Sequence, residues 1–148
     1  MKKLKINILE GYEIDKENST FERIKFKKIN PTIKWNNDRF GVEIQKDGEH
    51  FIVSAKPSMV MSWPDAVRFY KENKMWQLPT RKQLKLIVEH IDEVNALIKA
   101  NGGYEIQGWH LTADEYNEFC VWYVNIYDGY TDYRNKNGYY YVRAVSAL

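Results

Sequence analysis

Apolar and polar residues alternate through the first thirty positions, where Leu4, Ile6 and Ile8 share one strand face and Ile24 and Phe26 another. The polar run GYEIDKENST between them predicts an N-terminal β-hairpin with a long connection. Such a hairpin is marginal alone in water, so it must dock on the main body, on a second copy or on a larger assembly. Asn30-Pro31 and the polar WNNDR then read as a linker. Beyond it, Gly41-Val42-Glu43-Ile44 and His50-Phe51-Ile52-Val53 flank Lys46-Asp47-Gly48-Glu49, and the Asp-Gly pair marks a tight hairpin turn.

The period changes in the middle of the chain. Ser62 and Asp65 have capping-box spacing, Pro64 falls in the first turn, and Ala66, Phe69 and Tyr70 share a face, which predicts a helix over 63–73. Thr80 and Gln83 repeat the box, and Leu84, Ile87, Val88 and Ile91 form the apolar stripe of a second helix. Val94, Leu97 and Ile98 extend or restart it up to Asn101-Gly102-Gly103, where glycine permits the left-handed turn that ends helices.

Strand alternation returns near the C-terminus, where residues 121–145 hold seven of the eleven tyrosines. A strand over 120–127 puts Cys120, Trp122, Val124 and Ile126 on one face, expected to be the core side, and Val121, Tyr123, Asn125 and Tyr127 on the other. Asp128-Gly129 makes a turn, and TDYRNKNG is too polar for an interior. The last strand sets Tyr140, Val142 and Ala144 against Tyr139, Tyr141, Arg143 and Val145, and its pattern leaves the buried face open.

Composition adds limits. A chain of 148 residues fits one compact body, and a net charge of +2 is too small to mark a polyanion binder. Lys3, Lys5, Lys25, Lys27 and Lys28 read as solvated strand faces, so no nucleic-acid partner is expected. One cysteine, Cys120, rules out an internal disulfide and suits a small buried hydrophobe. No stretch is long and apolar enough to span a bilayer, and Asn7, Glu10 and Gly11 interrupt any leader-like run. No membrane partner is expected, and the protein is expected in the cytoplasm or incorporated into a particle assembled there.

The runs SWPDAVRFY, WQLPTRKQL, GWHLTADEY, VWYVNIYDG and YYVRAV, in this order, resemble the Lcl C-terminal-like domains, a family of unknown function. The likeness spans about residues 41–146. It implies an α+β, C-type-lectin-like fold: two helices on a small twisted antiparallel sheet with long loops. With the N-terminal hairpin, the expected division is residues 1–33 as a docking segment and 34–148 as the lectin-like domain. The leader KINILEGYEIDKENSTFERIKFKKI also resembles an N-terminal segment found in proteins of Bacteroides-type bacteria and their phages, so the particle would be a phage.

Candidate chemistry is sparse. Relatives that modify sulfatases use a pair of cysteines, and this chain has only Cys120. Calcium lectins use a Trp-Asn-Asp motif near the C-terminus, whereas Trp35-Asn36-Asn37-Asp38 lies in the other half; Asp128, Asp132 and Asn135 are the nearest oxygen donors to a calcium set. His50, His90 and His110 lack metal-ligand spacing. Asp114 and Glu115 read as helix N-terminal charges at the start of a short turn, and Trp63 and Trp76 as braces between helices and sheet. No catalytic residue, cofactor or metal is expected.

What remains is recognition, since tyrosine joins a large rigid ring to one hydroxyl at low entropic cost and works in binding loops beside Asn, Ser and Gly. The expected ligand-binding residues are Trp109, His110, Asn125, Tyr127, Tyr130, Asp132, Tyr133 and Tyr139, facing a protein or glycan surface. Some similar C-type-lectin-like proteins are diversified by retroelements at codons yielding Asn, Tyr, Asp and Ser, the residue types of 125–139. The alternative is a structural or assembly protein in which residues 1–30 make a homo-oligomer or particle contact. A third is an enzyme of unknown type.

Overall fold

The computed structural model describes residues 12–14, 26–28 and 31–148. The chain is α+β, with fourteen elements among those residues. Strands β1 (Tyr12–Ile14) and β2 (Phe26–Lys28) pair antiparallel as a two-stranded sheet. Tyr12–Ile14 therefore belongs to a strand and not to the expected connection, while Leu4, Ile6, Ile8 and Ile24 lie outside the described residues.

Next come β3 (Thr32–Asn36), β4 (Gly41–Lys46), β5 (Glu49–Ser54) and β6 (Met59–Met61). The stretch read as a linker is the strand β3, which ladders onto β4 from Thr32↔Gln45 to Asn36↔Gly41. Its Ile33 and Trp35 pack on the core, and that apolar alternation outweighs the polar residues between and after them. The expected boundary at 33/34 thus falls inside a strand. The β4–β5 hairpin forms as expected, with Asp47 (φ 52°) and Gly48 (φ 78°) both left-handed at the turn.

Three helices follow: α1 (Trp63–Glu72), α2 (Arg81–Glu89) and α3 (Ile91–Ala100). In α1 the Asp65 N–H donates to Ser62 Oγ at 3.4 Å, and Phe69, expected on the buried face, is exposed. In α2 both arms of the box are made: Gln83 N–H to Thr80 Oγ1 at 3.1 Å and Thr80 N–H to Gln83 Oε1 at 2.9 Å. The helices α2 and α3 are separate because His90 leaves helical geometry (φ −122°, ψ 24°). The lectin-like resemblance implies two helices, and the apolar stripe allows either an extension or a restart at Val94; His90 makes it restart. No described helix is long and apolar enough to cross a membrane.

The remaining strands are β7 (Trp109–Glu115), β8 (Cys120–Asn125), β9 (Thr131–Asn135), β10 (Tyr140–Val142) and β11 (Val145–Ala147). They build two larger sheets, ordered β6-β10-β7-β8-β9 and β11-β5-β4-β3, in place of one small antiparallel sheet. The first is mixed, because β10 runs parallel to β7 at Tyr141↔His110. What read as one last strand is two: the chain leaves the five-stranded sheet after Val142 and joins β5 of the other at Val145.

Two cores result. One holds Val42, Ile44, Phe51 and Val53 against Leu84, Ile87, Val94 and Ile98, closed by Val124 and Ile126. The other holds Ala66 and Tyr70 of α1 against Leu111, Val121, Tyr123 and Val142, with Trp63 and Trp76 packed on it as the expected braces. As an inner strand, β8 feeds both cores. Val121 and Tyr123, expected to face outward, are buried, whereas Trp122 and Cys120, expected in the core, are only half-buried at the strand's open end.

Candidate functional site

The turn after α3 starts the site. Gly102 takes φ 76°, and Gly103 lies so close to Ala55 and Ile98 that a Cβ there would stand 2.8 Å from each side chain. Asn95 then clamps the loop at both ends of one residue: its Nδ2 donates to Ile106 O at 3.1 Å and its Oδ1 accepts from Ile106 N–H at 2.8 Å. Ile106 is thereby pinned in the core, and its neighbours Glu105 and Gln107 point outward.

The β8–β9 turn meets this loop. The Ile126 N–H donates to Gly108 O at 2.9 Å, Asn125 Oδ1 accepts from Tyr127 N–H, and Lys85 Nζ donates to Gly129 O at 2.6 Å. Held there, Tyr127 donates its hydroxyl to Gln107 Oε1 at 3.1 Å. From β10, Tyr141 lies over His110 with ring centroids 5.7 Å apart. Tyr104, Tyr127 and Tyr141, exposed by 59%, 69% and 48%, ring a hollow of about 410 Å³ with Ser58, Gln107 and Arg143. A second hollow of about 540 Å³, against α3, shares Glu105, Gln107 and Tyr127 with the first. The bonded Tyr127–Gln107 pair is the ridge between them.

Beneath the first hollow lies a polar network. Arg143, only 2% exposed, donates from Nε to Ser58 Oγ at 3.0 Å, from Nη1 to Ser54 O at 3.0 Å and to Lys56 O, and from Nη2 to Glu105 O at 3.0 Å. Ser58 Oγ also lies 2.7 Å from His110 Nε2, and His110 Nδ1 lies 3.3 Å from Gly108 O. A consistent assignment has Nδ1–H donating to Gly108 and the Ser58 hydroxyl donating to Nε2. Burial pulls the His110 imidazole down to about 4, with the Arg143 charge adding to the effect and the Gly108 bond opposing it. Burial also pulls Arg143 down to about 10, which leaves it charged at neutral pH.

Serine and histidine within hydrogen-bond reach are the first requirement of a nucleophile and its base. Here burial lowers the affinity of His110 for the hydroxyl proton, and Arg143 occupies a lone pair of the hydroxyl. Both features weaken nucleophilic attack, and the trio instead ties the crossover between β10 and β11 to the loops at 54–58 and 105–108.

The expected site residues are dispersed. Tyr127 lines the hollow. Trp109 is half-buried, stacked on Tyr123 at 4.3 Å and met edge-on by Tyr130 at 6.0 Å. His110 has no exposed surface, so it supports the floor instead of touching a ligand, a correction caused by its inward position beneath Tyr141. Asn125 and Asp132 are half-buried and accept from backbone N–H groups of Tyr127 and Tyr133. Tyr139 is 69% exposed.

Tyr133 belongs to another surface, stacked on Tyr116 at 3.9 Å and edge-on to Trp122, whose ring carries the Arg81 guanidinium at 4.0 Å. Tyr133 pairs with Trp122, three strand residues or roughly 10 Å before the end of β8, and Tyr127 lies beyond that end in the turn. Asp114 and Glu115 end β7 and start no turn of their own helix; Asp114 Oδ2 instead accepts from the Arg81 N–H, serving α2. Asp128, Asp132 and Asn135 each accept from nearby backbone N–H groups. Among the described residues, no three His, Cys, Asp or Glu side chains gather as a metal site.

Sequence reasoning missed Tyr104, Gln107, Tyr141, Ser58 and Arg143. The one local signal was the arginine of VRAV, a charge set among apolar residues. No family model matches the chain, and no curated protein is found similar to it.

Proposed function

We propose that this chain is a non-catalytic recognition module, binding a protein or glycan surface through the hollow ringed by Tyr104, Tyr127 and Tyr141. The observation that carries this reading is the convergence of three exposed rings on one hollow whose loops are pinned by Asn95, Asn125 and Gly108. Rigid aromatic rings on fixed loops bind without a large ordering cost. A C-type-lectin-like arrangement and kinship with the Lcl C-terminal-like domains belong to the same proposal. Their support is that motif residues occupy structural joints: Ser62 and Thr80 at helix starts and Arg143 at the crossover between sheets. In this reading the protein works in the cytoplasm or within a phage particle.

The separate two-stranded sheet of β1 and β2 favours a second reading, an assembly protein acting through its N-terminal segment. A binding screen of the full chain against glycans and protein surfaces separates the two. Tyr127→Ala with Tyr141→Ala should weaken capture by about tenfold or more. Unchanged capture by the double variant would shift the weight to the assembly reading.

A further inference from the structure

Arg143 has five N–H donors, and four are taken up, one by Ser58 and three by backbone carbonyls. The fifth, on Nη2, has no acceptor among the described residues. All four acceptors are neutral, and among the described residues no carboxylate pairs with this guanidinium. A buried cation left to dipoles alone is short of its best partner, and Arg143 is one of the residues lining the hollow. An anion arriving there gains a charge-assisted bond.

The walls favour a sugar over a peptide. Pro57 is the one aliphatic side chain in the lining, and the rest of its apolar surface is the flat faces of tyrosine rings. The neighbouring strand β10 is bonded on both sides, by β6 and β7, so it has no free edge for an added peptide strand. A pyranose matches what is present: its C–H face suits the negative face of a tyrosine ring, and its hydroxyls suit Gln107, Glu105 and Ser58. The second hollow, across the Tyr127–Gln107 ridge, leaves room for a following sugar unit.

We propose that the hollow takes a carboxylated sugar of the uronate or sialate class, its ring against Tyr141 and Tyr127 and its carboxylate received by the free N–H of Arg143. This deepens the recognition reading and rests on it.

Replacing Arg143 would cut bonds to both loops, 54–58 and 105–108, so the ligand's charge is the thing to change. The full chain is titrated by calorimetry with a glucuronate-terminated oligosaccharide and with sialyllactose, each beside its methyl ester and beside an Asp/Glu-rich peptide. The expected result is binding of one or both acids about tenfold or more tighter than the matching ester, weakened by Tyr141→Ala; the arm that binds names the source. Equal binding of acid and ester, still weakened by Tyr141→Ala, would overturn the carboxylate assignment and leave the recognition reading standing. Tighter binding of the peptide than of either sugar would overturn the sugar class. If no sugar binds, the inference falls, and the recognition reading then depends on protein surfaces in the screen.

Discussion

Arg143 carries a full charge into the interior beside Val142, and Ser54, Lys56 and Glu105 turn their carbonyls to meet it. Arg143→Met should cost about 3 kcal/mol or more, because each abandoned buried acceptor is worth roughly 1–3 kcal/mol; urea denaturation measures it, and a loss under about 1 kcal/mol would mean that these bonds do not hold the crossover. His110 makes a pH prediction. Its folded value of about 4 lies below the ordinary 6.5, so between these limits the unfolded chain binds more protons. The stabilisation is complete above about pH 6.5 and declines as pH falls towards 4. At pH 5 the loss should be about 2 kcal/mol relative to neutral pH. His110→Gln should remove that part of the pH dependence, and a variant whose stability falls as steeply as the parent's would assign it to other groups.

At the scale of elements, α2 shows how one helix start is served twice. Thr80 and Gln83 satisfy each other's N–H groups, while Asp114 reaches across from β7 to the Arg81 N–H at 2.6 Å. Thr80→Ala should lower stability by roughly 0.5–2 kcal/mol, read from thermal unfolding. Asp114→Ala adds a loss that need not sum with the first, since both act on one helix end. The strand β8 makes a contrasting case. Trp122, half-buried beneath Arg81, should cost about 1–2 kcal/mol on replacement by alanine, below the roughly 3–5 of a core tryptophan. A loss as large as a core tryptophan's would show that the aromatic cluster with Tyr116 and Tyr133 is a third core.

Over the whole molecule, the proposed recognition face lies apart from the cores. The two cores lie between the sheets and helices, whereas Tyr104, Tyr127 and Tyr141 stand outside both. Tyr127→Ala with Tyr141→Ala should therefore shift unfolding free energy by no more than about 1 kcal/mol while weakening ligand capture. Melting and binding measured on one preparation test the separation, and joint loss of both would place the rings in the fold's support.

The sequence by itself determined the parts settled within a few residues: the capping of α1 by Ser62, the box at Thr80, the Asp47-Gly48 turn and the α3 end at Gly102. Each depends on local backbone geometry, so its signal is written where it acts. The tertiary structure decided what local pattern leaves open. Alternation assigns two faces to β8 without saying that an inner strand buries one on α1 and the other against α2, which is why Tyr123 and Trp122 exchanged their expected roles. Nor could it reveal that the chain changes sheets after Val142, burying Arg143. The hollow needs residues from 57–58, 104–108, 127 and 141–143 together, and only long-range packing brings such distant stretches to one place.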